Sequence, residues 1–232
     1  MSTHPIIKFN EGLGTDPDNT SKRIPVVLCL DTSGSMAGNI GDLNQAIKKF
    51  YDESKSDDNA KNAVEVAAIQ FGNGTRPSGV DIVSDFMEVE HASIPTLRSG
   101  GVTPMGLGVQ QSLDLLDARK KWYQSEGIDY YQPILVIMTD GEATDSTDNV
   151  AASVKTLNEN GKLTVIPLAF GDDANLRALE TVAGGKKPIY IDQGFRFLEF
   201  FKWLSMSFSS ISQNVTEEEF DTILAEFTIE DE

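Results

Sequence analysis

The chain has 232 residues, 40% of them hydrophobic and 24% charged, which suits one globular domain with a filled core. Its formal net charge of -17 and pI of about 4.4 repel nucleic acid and anionic membrane, and favour cations and basic protein surfaces instead. One cysteine and two histidines, His4 and His91, exclude a zinc site of the usual Cys/His kind, and no apolar run approaches the roughly 20 residues that span a bilayer.

Residues 1–24 are polar and turn-rich and read as an arm lying on the domain; they lack the charged and apolar regions of a signal peptide. The domain proper is expected over 25–213. Ile24 to Leu30 is a continuous apolar run, the mark of a fully buried strand, and Cys29 inside it reads as a structural thiol that fits a cytoplasmic location. Ile40, Leu43, Ile47 and Phe50 predict a helix over about 40–54, ending before a charged linker at Lys55 to Asp58. Ala63 to Phe71 reads as a second buried strand, and the more alternating, charged Val80 to Val89 as an edge strand.

A helix over about 105–122 follows, then an apolar strand from Pro133 to Met138. Val150, Val154 and Leu157 mark a further helix stopped by Asn160-Gly161. Leu163 to Phe170 is a strand in which Pro167 predicts a bulge or an unpaired backbone position. A short helix near 173–182, a last strand at Pro188 to Ile191, and a closing helix carrying Phe197, Phe200, Phe201, Leu204, Phe208 and Ile211 complete the domain. Strands and helices alternate, so the fold class is α/β with a mainly parallel, doubly wound sheet and helices on both faces.

The chemistry concentrates at strand ends. Asp31-Thr32-Ser33-Gly34-Ser35 follows the first strand, and Thr139-Asp140-Gly141 follows the Pro133 strand. In open α/β sheets, ligands bind beyond the carboxyl ends of the strands, at the point where strand order reverses. Between them, Ser99-Gly100-Gly101-Val102-Thr103-Pro104 offers a tight glycine loop and the Thr103 hydroxyl just before a helix. All these donors are oxygens, which suit a hard cation such as Mg2+. D-x-S-x-S alone also occurs in ordinary turns and caps. Glu142, Asp145, Asp172 and Asp173 read as rim or capping residues.

Taken together, Asp31-x-Ser33-x-Ser35, Thr103 and Asp140-Gly141 resemble the metal-ion-dependent adhesion site (MIDAS) of von Willebrand factor A domains, over roughly residues 24–212. The resemblance implies a six-stranded sheet with one antiparallel strand. It also implies an Mg2+ (Mn2+ or Ca2+ being possible) held by Asp31, Ser33, Ser35, Thr103 and Asp140. The three hydroxyls would bind directly, the carboxylates mostly through water, and a partner protein's Glu or Asp would complete the shell. Within the family, the Thr139 to Asp145 run and the small size look like the bacterial tellurium-resistance (TerY-like) stress branch, whose members work in cytoplasmic complexes, some with kinase or phosphatase partners.

Catalysis is the weaker reading. Phosphoryl transfer of the D-x-D type needs an acid where Ser33 stands, no P-loop is present, and Gly34 to Gly38 is not a nucleophile elbow. A structural subunit with a purely stabilising metal is a further alternative. The segment 214–232 carries eight acidic residues and no basic one, yet Thr216 and Glu219 form a capping box. Phe220, Ile223, Leu224 and Phe227 follow at helical spacing, so the segment reads as an amphipathic helix that mediates association.

Overall fold

The computed structural model describes residues 19–170 and 175–191, together with Phe200 and Leu204. Six strands form one sheet in the order β3-β2-β1-β4-β5-β6, with β1 at Ile24–Asp31, β2 at Val64–Phe71, β3 at Val80–Glu88, β4 at Ile134–Thr139, β5 at Thr164–Phe170 and β6 at Ile189–Ile191. Every pairing is parallel except that of β2 with the edge strand β3. This is the expected doubly wound α/β sheet with one antiparallel edge.

β1 is buried along its whole length because strands flank it and helices cover both faces. Its pleat divides the core in two. Ile24, Val26, Leu28 and Leu30 join α1 (Ile40–Ser56), α2 (Asp58–Ala63), Phe200 and Leu204 on one side. Val27 and Cys29 join α3 (Met105–Glu126), α4 (Asp148–Glu159) and α5 (Leu176–Val182) on the other. Strand order reverses between β1 and β4, so Asp31 and Thr139-Asp140 meet at the carboxyl rim, where the sequence places the site.

The structure corrects the Lys55 linker and the end of the helix over 105–122, and decides between the two outcomes expected at Pro167. Lys55 to Asp58 is not a linker: α1 runs on to Ser56, and Asp57 starts α2 by accepting the Ala60 N–H at 2.9 Å. Pro167 produces no bulge, since β4 and β5 stay in register from Ile134/Thr164 to Thr139/Ala169. Pairing with β6 starts only at Leu168, so the ladder on that side has not yet begun at Pro167. Helix α3 extends past residue 122 to Glu126 and stops at Gly127, whose φ of 69° is the left-handed conformation of a glycine cap.

The opposite rim holds a buried ionic cluster. Glu65, fully buried at the start of β2, accepts from Arg119 Nε at 2.7 Å and from the Tyr123 hydroxyl, both on α3. Arg23 Nε lies 3.2 Å from the other Glu65 oxygen, and Arg23 also reaches Glu88 of β3 at 3.4 Å. Burial pushes the Tyr123 hydroxyl well above its ordinary pKa, and the Glu65 charge adds to this. Arg23 is bonded further to the carbonyls of Asn19 and Asn62.

A candidate metal centre

Asp31 closes β1 with its carboxylate fully buried. Its Oδ1 accepts the Ser33 N–H at 2.7 Å, which bends the chain out of the strand, and its Oδ2 accepts the Thr139 hydroxyl at 2.6 Å across the β1–β4 seam. Burial raises its pKa to about 6; the bonds from Thr139 and Ser33 oppose that rise, and the Asp140 charge adds to it. The hydroxyls of Ser33 and Ser35 stand 2.9 Å apart, and Ser35 Oγ donates to Asp140 Oδ1 at 2.6 Å. Asp140 is 9% exposed, and burial raises its pKa against the Ser35 bond.

Thr103 reaches the site on the third loop. It is 7% exposed, and its carbonyl accepts the N–H groups of Met105 and Thr144, each at 2.8 Å. That loop is sewn to the first: Gly100 N–H donates to Thr32 O at 2.8 Å and Gly34 N–H to Gly101 O at 3.2 Å. The loop after β2 presses in as well. Gly101 has φ of 74°, and a Cβ there would lie 2.2 Å from the Gly72 carbonyl oxygen, so only glycine fits. Asp145 then fixes the helix behind Thr103, taking the N–H groups of Gly106 at 2.9 Å and Leu107 at 2.8 Å on its two oxygens.

Four of the five expected residues, Asp31, Ser33, Ser35 and Asp140, are thus joined by hydrogen bonds, and the loop that carries Thr103 is bonded through its backbone to the loop that carries Ser33. Asp145 takes the capping role expected of it, and Glu142 binds the Asn175 side chain on the rim. Asn175, not an aspartate, caps α5 by accepting the Ala178 N–H at 3.0 Å. Asp172 and Asp173 lie outside the described residues, as do most of the closing helix and the segment 214–232.

Sequence reasoning missed Thr139 as a site residue. The available signal was a lone hydroxyl ending an otherwise aliphatic strand, directly before Asp140.

The donor set fits a hard divalent cation. Among the described residues, no Lys or Arg forms an ion pair with Asp31 or Asp140, so two buried carboxylates stand at this rim with no cationic side chain paired to them. No group of three or more His, Cys, Asp or Glu gathers anywhere among those residues, so a soft-metal site is not formed. Two carboxylates plus hydroxyls match the oxygen preference and low protein-charge count of Mg2+-type sites.

Comparison with known proteins gives the family and the fold. A family model described as von Willebrand factor type A domain matches residues 26–202. A search of curated proteins returns no match. Among solved structures, proximal thread matrix protein 1 from the mussel byssus, in a form with a zinc-occupied MIDAS motif, superposes with a TM-score of 0.55 at 18% identity, covering 82% of this chain and 49% of that one. The pilus adhesin SpaC of Lactobacillus rhamnosus GG gives 0.61 at 16% identity, covering 87% and 31%. Manganese-loaded TRAP protein of Plasmodium vivax gives 0.54 at 15% identity, covering 78% and 74%. This chain therefore spans only 49% and 31% of the first two proteins. At these identities the likeness is one of fold.

Proposed function

The chain belongs to the von Willebrand factor type A domain family, and from that premise we propose that it is a metal-dependent protein-interaction module rather than an enzyme. Asp31, Ser33, Ser35, Thr103 and Asp140 form its metal site, and the partner contributes a Glu or Asp side chain. The observation that carries this reading is the bonding of Asp31. Both of its oxygens are already engaged by protein donors, Ser33 N–H and Thr139 Oγ1, so its charge acts from behind the hydroxyls. When bound, Mg2+ would supply a Lewis-acidic centre with an open position for an incoming carboxylate.

The chain's own residues do the rest. Thr139 and the Ser33 backbone orient Asp31, and Ser35 and Asp140 hold each other. Gly100, Gly101 and Asp145 set the position of Thr103. No histidine or lysine stands among these residues to act as a general base, which favours binding over hydrolysis. Mg2+ is the proposed ion, with Mn2+ or Ca2+ able to replace it. The Thr139 to Asp145 run supports a place in the tellurium-resistance stress branch, which brings with it a cytoplasmic location and partners such as kinases or phosphatases. No helix among the described residues is long and apolar enough to cross a membrane.

The test is a pull-down from native extract with wild type and Asp31→Ala, each in Mg2+ and in EDTA. A protein retained only by wild type in Mg2+ supports the mechanism and identifies the partner. The same catch in all four conditions would leave the metal a structural role at most.

A further inference from the structure

Far from the metal site, a groove of about 490 Å3 opens between the C-terminal half of α3, the segment leading into β4 and the turn after α4. Lys120, Lys121 and Lys162 line it, with Tyr130 and Tyr131 forming an aromatic wall. Lys22 stands 3.9 Å from the centre of the Tyr131 ring and adds a fourth cation to this edge. The acidic residue lining the groove is Asp117, 2.7 Å from Lys121 and 4.0 Å from Lys120. A second hollow of about 200 Å3 continues from it, sharing Asp117, Lys120, Pro133 and Lys162; Leu157 and Leu163 give it an apolar floor, and Asp114 stands at its edge. A basic, aromatic basin that runs into an aliphatic trough is unusual on a chain with 36 acidic and 19 basic residues.

The chain itself contains a segment of complementary chemistry. Thr216 to Glu232 carries eight acidic residues and no basic one, and its spacing predicts a helix with Phe220, Ile223, Leu224 and Phe227 on one side. We propose that this groove is the docking site of the chain's own 216–232 segment. The acidic residues would lie on Lys120, Lys121 and Lys162, and the apolar stripe along Leu157 and Pro133, in the manner of an amphipathic helix in a groove. Tethering favours the segment of the same chain over that of another at low concentration. With the closing helix running to Ile211 as its spacing predicts, the tether from Leu204 to Thr216 spans about 27 Å, more than the roughly 16 Å radius of gyration of a domain this size. Tyr131 ties the two regions together, since it lines the groove and packs on the same apolar cluster as Phe200 and Leu204.

Zero-length carbodiimide coupling of the full-length protein at low micromolar concentration tests this, with cross-linked peptides read from the monomer fraction. Lys120, Lys121 or Lys162 should couple to acidic residues within 217–232, equally in Mg2+ and EDTA. The triple variant Lys120→Glu/Lys121→Glu/Lys162→Glu deletes those amines and should leave the segment without intramolecular cross-links, with no rise in coupling to distant lysines such as Lys48 and Lys155. Adding Glu217→Lys, Glu218→Lys and Glu219→Lys to that variant should restore coupling with the charges exchanged. The lysines are surface residues, so the variants keep the fold, which circular dichroism verifies. Coupling spread evenly over distant lysines such as Lys48 and Lys155 would overturn the proposal, and so would coupling confined to a dimer fraction.

Discussion

Ser35 Oγ donates a 2.6 Å hydrogen bond to Asp140 Oδ1, joining residues 105 positions apart across the β1–β4 seam. The bond makes the two halves of the motif interdependent. Removing either partner should both subtract a ligand and release the other. Asp140→Ala and Asp31→Ala should lower Mn2+ affinity by at least about tenfold, and Ser35→Ala by less, as read by titration calorimetry. Thr139→Val keeps all five proposed ligands yet frees Asp31 Oδ2. It should weaken binding by roughly tenfold, the scale of a lost ligand-orienting bond.

Acidity gives a second check. In the folded protein Asp31 ionises near about 6, against 3.8 for an ordinary aspartate. Between those values the folded state holds the proton that the unfolded chain has already released. The stability this group contributes without metal is therefore complete below 3.8 and lost as pH rises through about 6. A cation binds the charged form and reverses that loss. In EDTA, the melting temperature of wild type relative to Asp31→Asn should fall as pH is raised across this window. The gain from added Mg2+ should grow over the same range. Scanning calorimetry of the two proteins at a series of pH values measures both trends, and superimposable wild-type and Asn profiles would contradict them.

Asp145 tests the scaffold behind Thr103. It satisfies two N–H groups at the start of α3, so Asp145→Ala should cost about 1–2 kcal/mol. For a domain of this size that is a fall of roughly 2–8 °C in melting temperature. Metal affinity should drop only modestly, because no proposed ligand is removed. Asp145→Asn, which keeps one acceptor, should recover part of the loss.

The ionic cluster at the far rim makes the opposite prediction. Glu65→Gln removes the carboxylate that faces both Arg23 and Arg119, taking a buried ion pair from each while Arg23 keeps Glu88. A loss of about 3–5 kcal/mol follows from breaking a buried pair on one side only. Whatever protein remains folded should bind metal as wild type does, since the cluster lies at the other end of the strands. Urea unfolding and Mn2+ titration of the same samples separate the two effects.

Much of this arrangement can be read from the sequence, for identifiable reasons. β1 and β4 are buried on both faces and so appear as unbroken apolar runs, with Asp31 and Asp140 marking their ends. Thr103 is visible because it lies between a glycine loop and a proline. What escaped depends on contacts between distant segments. Glu65 looks like an incidental charge in an apolar run until Arg119 and Tyr123, 54 and 58 residues later, close over it. Helix α2 is hidden in a charged stretch because its start rests on one side-chain cap, Asp57 to Ala60. Thr139 shows its role only once β4 lies beside β1.

The close approach of Gly101 to Gly72 also bears on how such a domain changes partners. The loops at the metal rim meet through backbone atoms, so their relative placement does not rely on the side chains that point outward. Val102, 63% exposed and next to Thr103, is one such side chain. Substitutions there alter the surface an incoming protein meets while leaving the oxygens beneath it in place. Selectivity and metal chemistry can therefore diverge independently within a single loop.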